Sequence, residues 1–242
     1  MYKILTITPW GGSFPLNQFR LKMGKTDQSN PELANQGNLR VNFDSILTIF
    51  TWIGVILERI DNNLDNDIRH QQKLREALQG KRVKYTELPP SDINKTCIDV
   101  VSLILFLNIL MDDVSRFLRF IFKGAQCPRT KGFHQLRKDL GKFQGTHVSE
   151  LNGIIQSTTW YPNLKDLRDK NIVHKGEKSS MIGTNLDEIG IFIRYIENRK
   201  VHEEYFSNKK VDYYCQNVHS FLTNLNYFLV KYYDELPLEV AP

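Results

Sequence analysis

The residues best suited to chemistry crowd into one short run, LRDKNIVHKG at positions 167–176. Arg168, Asn171 and His174 stand there three apart, in a helix that starts with apolar residues at helical spacing. An imidazole exchanges a proton near neutral pH, and a guanidinium is a fixed positive charge with paired donors. Together they suit proton transfer beside an anionic group. On a helical wheel turning about 100° per residue, Tyr161, Leu164, Leu167 and Ile172 share one arc, and Lys165, Asp166, Asp169, Lys170 and Val173 face the other way. Arg168 falls between Leu164 and Tyr161, Asn171 close by, and His174 at the arc's edge beside Leu167. A guanidinium in a dry core costs several kcal/mol unless it is paired. The arc therefore has to meet an acidic partner, a wet cleft or another subunit. One open reading is purely structural, with Arg168 buried against Asp112 or Asp113 and His174 capping the helix end.

The elements that must position this run read as mostly helical. The helix itself is expected from about Pro162 to Lys175, with Pro162 in its first turn and Gly176 just past its end. Residues 1–40 are punctuated by Pro9, Gly11, Gly12, Pro15, Gly24, Pro31 and Gly37, and predict an irregular arm with a short strand at 2–8. Apolar residues from Ile46 to Ile60 recur three and four apart, predicting a helix over 41–79 that Gly80 stops. A second long helix follows LPPSD at 88–92 and runs to about 122; it is apolar nearly all round its middle, which makes it central. Shorter helices are expected at 133–143 and 147–157, and an amphipathic one at 211–234. Residues 189–206 alternate around ENRK and admit either a small β-hairpin or a helix. The fold class is all-α for the most part, an N-terminal arm at 1–40 followed by one helical domain at 41–242.

Composition narrows the classes further. The chain has 242 residues, 41% hydrophobic and 24% charged, in the ordinary range of a soluble globular protein. Cys97, Cys127 and Cys215 are far apart and form no CxxC pair, which argues for reduced thiols and a cytoplasmic setting. The apolar runs 46–57 and 100–111 are shorter than the roughly 20 residues a bilayer demands, so they read as core helices and no membrane partner is expected. The N-terminal stretch lacks a clean apolar core with a cleavage site, and no signal peptide is read. Net charge is +5, and its placement is uneven. Segment 123–142 holds Lys123, Arg129, Lys131, Arg137, Lys138 and Lys142 against Asp139, six minus one, the whole excess of the chain. Such a cluster fits a polyanion such as RNA; a solvated surface with no partner stays open beside it.

Several familiar motifs fail. FRLKMGKT at 19–26 ends like a phosphate-binding loop, but Phe19 stands where that loop needs glycine, and no buried strand precedes it. There is no HExxH, no ligand-like grouping of His, Cys and Asp, and no GxSxG elbow. His134 and His147 fall in or near the basic region and read as solvated surface. No metal or other cofactor is expected.

LRDKNIVHKG resembles the signature of the HEPN superfamily, whose members share an arginine followed a few residues later by a histidine, often with a polar residue after the arginine. Arg168 and His174 match with five residues between them, and Asp169 takes the polar place. The match covers the ten residues 167–176, inside a late helix of a chain rich in long apolar helices. The resemblance implies an up-and-down helical bundle that pairs as a homodimer, bringing the arginine and histidine of both copies to one cleft. It implies a metal-independent endoribonuclease of the kind found as toxins of toxin–antitoxin pairs, in phage defence and in CRISPR effectors. Arg168 and His174 would then be catalytic, with Asp169 as the polar neighbour and Asn171 on the same side to bind phosphate or orient His174. The six cations of 123–142 would hold the RNA backbone, and Tyr161 would either stack on a base or pack in the core. An antitoxin or a nucleotidyltransferase is the implied protein partner. The alternative within the same family is a non-catalytic protein that binds RNA or a partner. Residues 1–40 and 177–210 match nothing in the resemblance.

Overall fold

A computed structural model describes the protein over residues 14–29, 37–80, 93–123, 132–140, 147–169, 179–185, 188–197 and 200–236. The chain order is α1 (Asn17–Ser29), α2 (Gly37–Leu78), α3 (Ile93–Lys123), α4 (Phe133–Asp139), α5 (Val148–Gln156) and α6 (Tyr161–Asp166). Three strands follow, β1 (Ser179–Asn185), β2 (Glu188–Glu197) and β3 (Lys200–Ser207), then α7 (Asn208–Lys231) and a closing 3-10 turn, Tyr233–Glu235. The protein is mostly helical, as the periodicity predicts.

α3 is the hub. It touches α2, α4, α6 and α7, and its residues Leu103, Leu107, Leu110, Met111, Val114, Phe117 and Leu118 are at most 1% exposed. A helix buried along most of its middle needs the nearly continuous apolar pattern that the sequence supplies, and Ile109 and Arg116 mark the side it leaves open. α2 lies against α3 along Phe43, Ile46, Ile53 and Leu57, all buried. Arg59 pairs with buried Asp99, and Ser45 Oγ donates to Asp113 at 2.5 Å, so two polar ties flank the apolar seam. Gly80, at φ +81°, ends α2 with its amide on Ala77 O, a left-handed closure that glycine adopts without a Cβ penalty. Val41–Asn63 within α2 is long and apolar enough to cross a membrane by length and composition, more than the run 46–57 alone suggests. Its inner face belongs to the core, while Trp52 and Val55 on its outer face are each 49% exposed.

Within the arm read at 1–40, the described residues 14–29 and 37–40 are largely helical, where the proline and glycine count predicts irregular chain. Residues 17–29 form α1, because Leu16 and Phe19 are fully buried and Met23 packs beside them. Phe19 meets Phe43, Phe117 and Tyr233 at ring distances of 5.9, 5.8 and 5.6 Å. Its amide, an unpaired donor in the first turn of a helix, gives its hydrogen bond to Asn226 Oδ1 of α7 at 3.1 Å. Tertiary packing thus overrides weak local propensity. The strand read at 2–8 lies outside the described residues.

β1, β2 and β3 form an antiparallel three-stranded sheet in sequential order, with Ser179 opposite Arg194 and Gly190 opposite Ser207. β1 touches α3, and β2 and β3 touch α7.

Candidate functional site around Arg168

α6 is a short helix with Pro162 in its first turn and Tyr161, Leu164 and Leu167 turned into the core. It does not continue as a regular helix. Residues 167–169 make a π turn, and 170–178 lie outside the described residues. Asn171 and His174, two of the expected site residues, fall in that stretch. The π turn also corrects the helical wheel. Asp169, read as facing away from Arg168, accepts a 2.7 Å hydrogen bond from Arg168 Nε. Widening the turn by one residue rotates everything after it, and such turns recur at functional positions.

Arg168 sits between two carboxylates. Its Nη1 reaches Asp112 Oδ2 of α3 at 3.4 Å, and Asp169 pairs in turn with Lys165. Of the two acidic candidates, Asp113 is engaged elsewhere, by Ser45 and Arg116. The structural alternative for Arg168 is thus realised in its partner but not in its burial: the Arg168 side chain keeps 23% of its surface exposed. Burial works against the charged guanidinium, but Asp169 and then Asp112 more than offset it, and its pKa rises. Asp169 likewise loses by burial and gains more from Lys165 and Arg168, so its carboxyl is held below the usual range.

The polar residues that hold this corner come from one stripe of α3. Asn108, Asp112, Ser115 and Arg119 recur at four, three and four residues along a helix that is otherwise largely apolar through its middle. Asn108 Nδ2 donates to Ile104 O at 2.9 Å and to Leu164 O at 3.4 Å, tying α3 to α6 just before the π turn. Asp112 Oδ1 accepts from Phe133 N at 2.9 Å, which caps the start of α4. Tyr161, 1% exposed, lies near the Asp112 carboxylate and meets Phe133 edge-on at 4.8 Å. Burial and the Asp112 charge push the phenol pKa up. Tyr161 is a core residue here and offers no face for a base.

Asp112 fits this junction only because position 132 is glycine. A Cβ on Gly132 would stand 2.5 Å from Asp112 Oδ1 and 3.0 Å from its Cγ. Gly132→Ala is expected to displace the carboxylate from Phe133 N and Arg168. The cost should be about 1.5–3 kcal/mol, the scale of a charged hydrogen bond, seen as a lower denaturation midpoint. An unchanged midpoint would mean that Asp112 moves aside freely.

Of the six cations read as a polyanion surface, the described residues hold Arg137 and Lys138. Arg129, Lys131 and Lys142 lie outside them, as does the Lys123 side chain at the end of α3. α4 places Phe133, Leu136 and Asp139 inward and His134, Arg137 and Lys138 on its other side. Asp139, the one acidic residue of segment 123–142, is 3% exposed and bonded to buried Arg119 at 3.2 Å. It does not offset the surface cations. His134 is less solvated than the sequence suggests: burial lowers its pKa, followed by the charges of Lys138, Lys165 and Arg137, against a smaller opposing pull from Asp166. His147 is engaged too, stacked on Tyr232 at 3.5 Å with Nε2 at 2.6 Å from Glu235 Oε2.

Sequence reasoning misses Asn108, Arg119, His134 and Lys165 as parts of this corner. The α3 stripe is visible as spacing, but a polar residue in an apolar helix does not name its partner. Among the described residues, no group of three His, Cys, Asp or Glu is placed to hold a metal ion. Comparison with family models, with curated proteins and with solved structures gives no match to this chain.

Proposed function

We propose that the protein is a metal-independent endoribonuclease of HEPN type. The observation that carries the reading is the state of Arg168: a guanidinium held between Asp112 and Asp169 yet 23% exposed, on a π turn that leads directly into the run containing His174. RNA supplies its own nucleophile, the 2′-hydroxyl. As its oxygen bonds to phosphorus, the P–O5′ bond breaks, leaving a 2′,3′-cyclic phosphate and a 5′-hydroxyl. His174 takes the 2′ proton, and a second imidazole, from another copy of the chain, returns one to the 5′-oxygen. Arg168 faces the charge that builds on the phosphoryl oxygens. Asp169 holds the guanidinium in place, and Asn171 binds phosphate or orients His174. On this reading the chain acts as a homodimer in the cytoplasm, as a toxin or phage-defence effector with an antitoxin or nucleotidyltransferase partner. The paired strands at 188–207 are an addition to the HEPN bundle.

One observation favours a second reading. The Arg168–Asp112 contact joins α6 to α3 and makes sense in a non-catalytic protein that only binds RNA or a partner. The two readings separate in one assay. Single-stranded RNA incubated with the protein in EDTA should yield fragments ending in 2′,3′-cyclic phosphate, and a strand of 2′-deoxynucleotides should survive. RNA recovered intact, with the protein folded and dimeric, supports the binding protein.

A further inference from the structure

His134, Arg137 and Lys138 stand at i, i+3 and i+4 on α4, a spacing that lines them along one side of a helix. Lys165, from α6, acts on His134 together with Lys138 and Arg137, so four basic groups from two elements share one neighbourhood. Lys165 pairs with Asp169, and Asp169 with Arg168, so this neighbourhood is continuous with the candidate site. Arg137 and Lys138 form no ion pair among the described residues, and Arg137 Nε is buried without a hydrogen-bond partner. The acidic residue best placed by sequence to neutralise the face, Asp139, is turned inward onto Arg119. Asp166, on α6, is the acidic group that remains beside His134.

We propose that the α4–α6 face formed by His134, Arg137, Lys138 and Lys165 is a phosphate track that leads a single RNA strand to Arg168, with His134 as its protonatable member. The proposal rests on the ribonuclease reading for its direction toward Arg168, but its test does not need cleavage. A seven-residue helix is about 10 Å long, so the track meets only a few phosphates. That suits a flexible strand. Binding phosphate favours His134 in its charged form, so binding takes up a proton and tightens as pH falls. The groups that set this equilibrium are Lys138 and Arg137 on its own helix and Lys165 and Asp166 across from it.

The probe is a 2′-O-methyl oligoribonucleotide of about twelve nucleotides, which has no free 2′-hydroxyl and cannot be cut by this route. Its affinity is measured by fluorescence anisotropy against salt and pH. Every phosphate that a substitution frees from the protein should reduce the slope of log K against log salt by about 0.7. Lys138→Gln, at an exposed position, should weaken binding several-fold and lower the slope by one such step. Arg137→Gln with Lys138→Gln and Lys165→Gln should lower it by about three steps. His134→Gln should abolish the gain in affinity between about pH 7.5 and 5.5. Unchanged slopes in the folded variants, or a wild-type protein that does not hold the probe at low salt, overturn the track. Cleavage of ordinary RNA in the EDTA assay decides the ribonuclease reading separately: cutting with unchanged slopes removes only the track, and salt-sensitive binding without cutting removes only the nuclease.

Discussion

Asp139→Ala is expected to lower stability by about 3–5 kcal/mol, because it leaves a charged guanidinium buried without its partner. Arg119 is 2% exposed and is the largest fully buried side chain of the described core. Its Nη1 donates to Asp139 Oδ2 at 3.2 Å and its Nε reaches Ser115 Oγ at 3.5 Å, while Nη2 has no hydrogen-bond partner. Asp139 also accepts from Gln135 Nε2 at 3.1 Å. A pair like this gains little net stability over packed apolar residues, but half of it is costly. Arg119→Met combined with Asp139→Leu should therefore recover most of the loss, or exceed the native stability by about 1–4 kcal/mol. Denaturant midpoints of the native protein, the single variant and the double variant measure this. A loss below about 1 kcal/mol for Asp139→Ala would mean that water reaches the guanidinium, in the range of exposed pairs. The effect should extend to function. The pair fastens α4 to α3, and α4 carries His134, Arg137 and Lys138, so on the phosphate-track proposal the single variant should also bind RNA less tightly while keeping every surface cation.

The long elements are legible because their signal is collective. Apolar residues three and four apart over dozens of positions predict α2, α3 and α7 within a few residues of where they lie. α1 is not legible in the same way. Its helix depends on Phe19 and Leu16 reaching a core shared by Phe43, Phe117 and Tyr233, and on a hydrogen bond to Asn226, 207 positions away. The candidate site divides along the same line. Arg168 stands out as a cation in an apolar arc, and Asp112 is one of two acidic partners within its reach by sequence. Ser45 and Arg116 decide between the two, because they engage Asp113. A regular turn angle carried through residues 167–169 puts Asp169 on the wrong side, since those residues form a π turn. Asn108 gives a warning of that irregularity, a polar side chain in the middle of the most apolar helix, bonded to the carbonyl of Leu164. Pattern shows that such a residue needs a partner; only the fold names it.

On the ribonuclease proposal, Arg168→Ala and His174→Ala should each slow cleavage by about a hundredfold or more and leave the protein folded. Loss of a positioned proton acceptor costs about a hundredfold to ten-thousandfold, and loss of a donor to developing negative charge about a hundredfold to a thousandfold. The Arg168 variant also tests the competing role of that residue. Its two ion pairs are partly exposed, with Asp112 at 28% and Asp169 at 23% of side-chain surface. Such pairs contribute up to about 1 kcal/mol, so unfolding should shift little while the rate collapses. If Arg168 is a structural tie instead, its removal leaves Asp112 and Asp169 facing each other beside buried Tyr161. Stability should then fall by about 3 kcal/mol or more, and RNA binding should follow stability. Asp112→Asn separates the two further. The amide can still accept from Phe133 N, so the start of α4 stays capped, but it no longer neutralises Arg168. A structural arginine becomes a half-paired charge, and the protein weakens much as Arg168→Ala does. A catalytic arginine is released from a competitor for its anionic substrate, so RNA should bind more tightly at unchanged stability. The sign of the change in affinity, read beside the change in midpoint, therefore assigns Arg168 to the chemistry or to the fold.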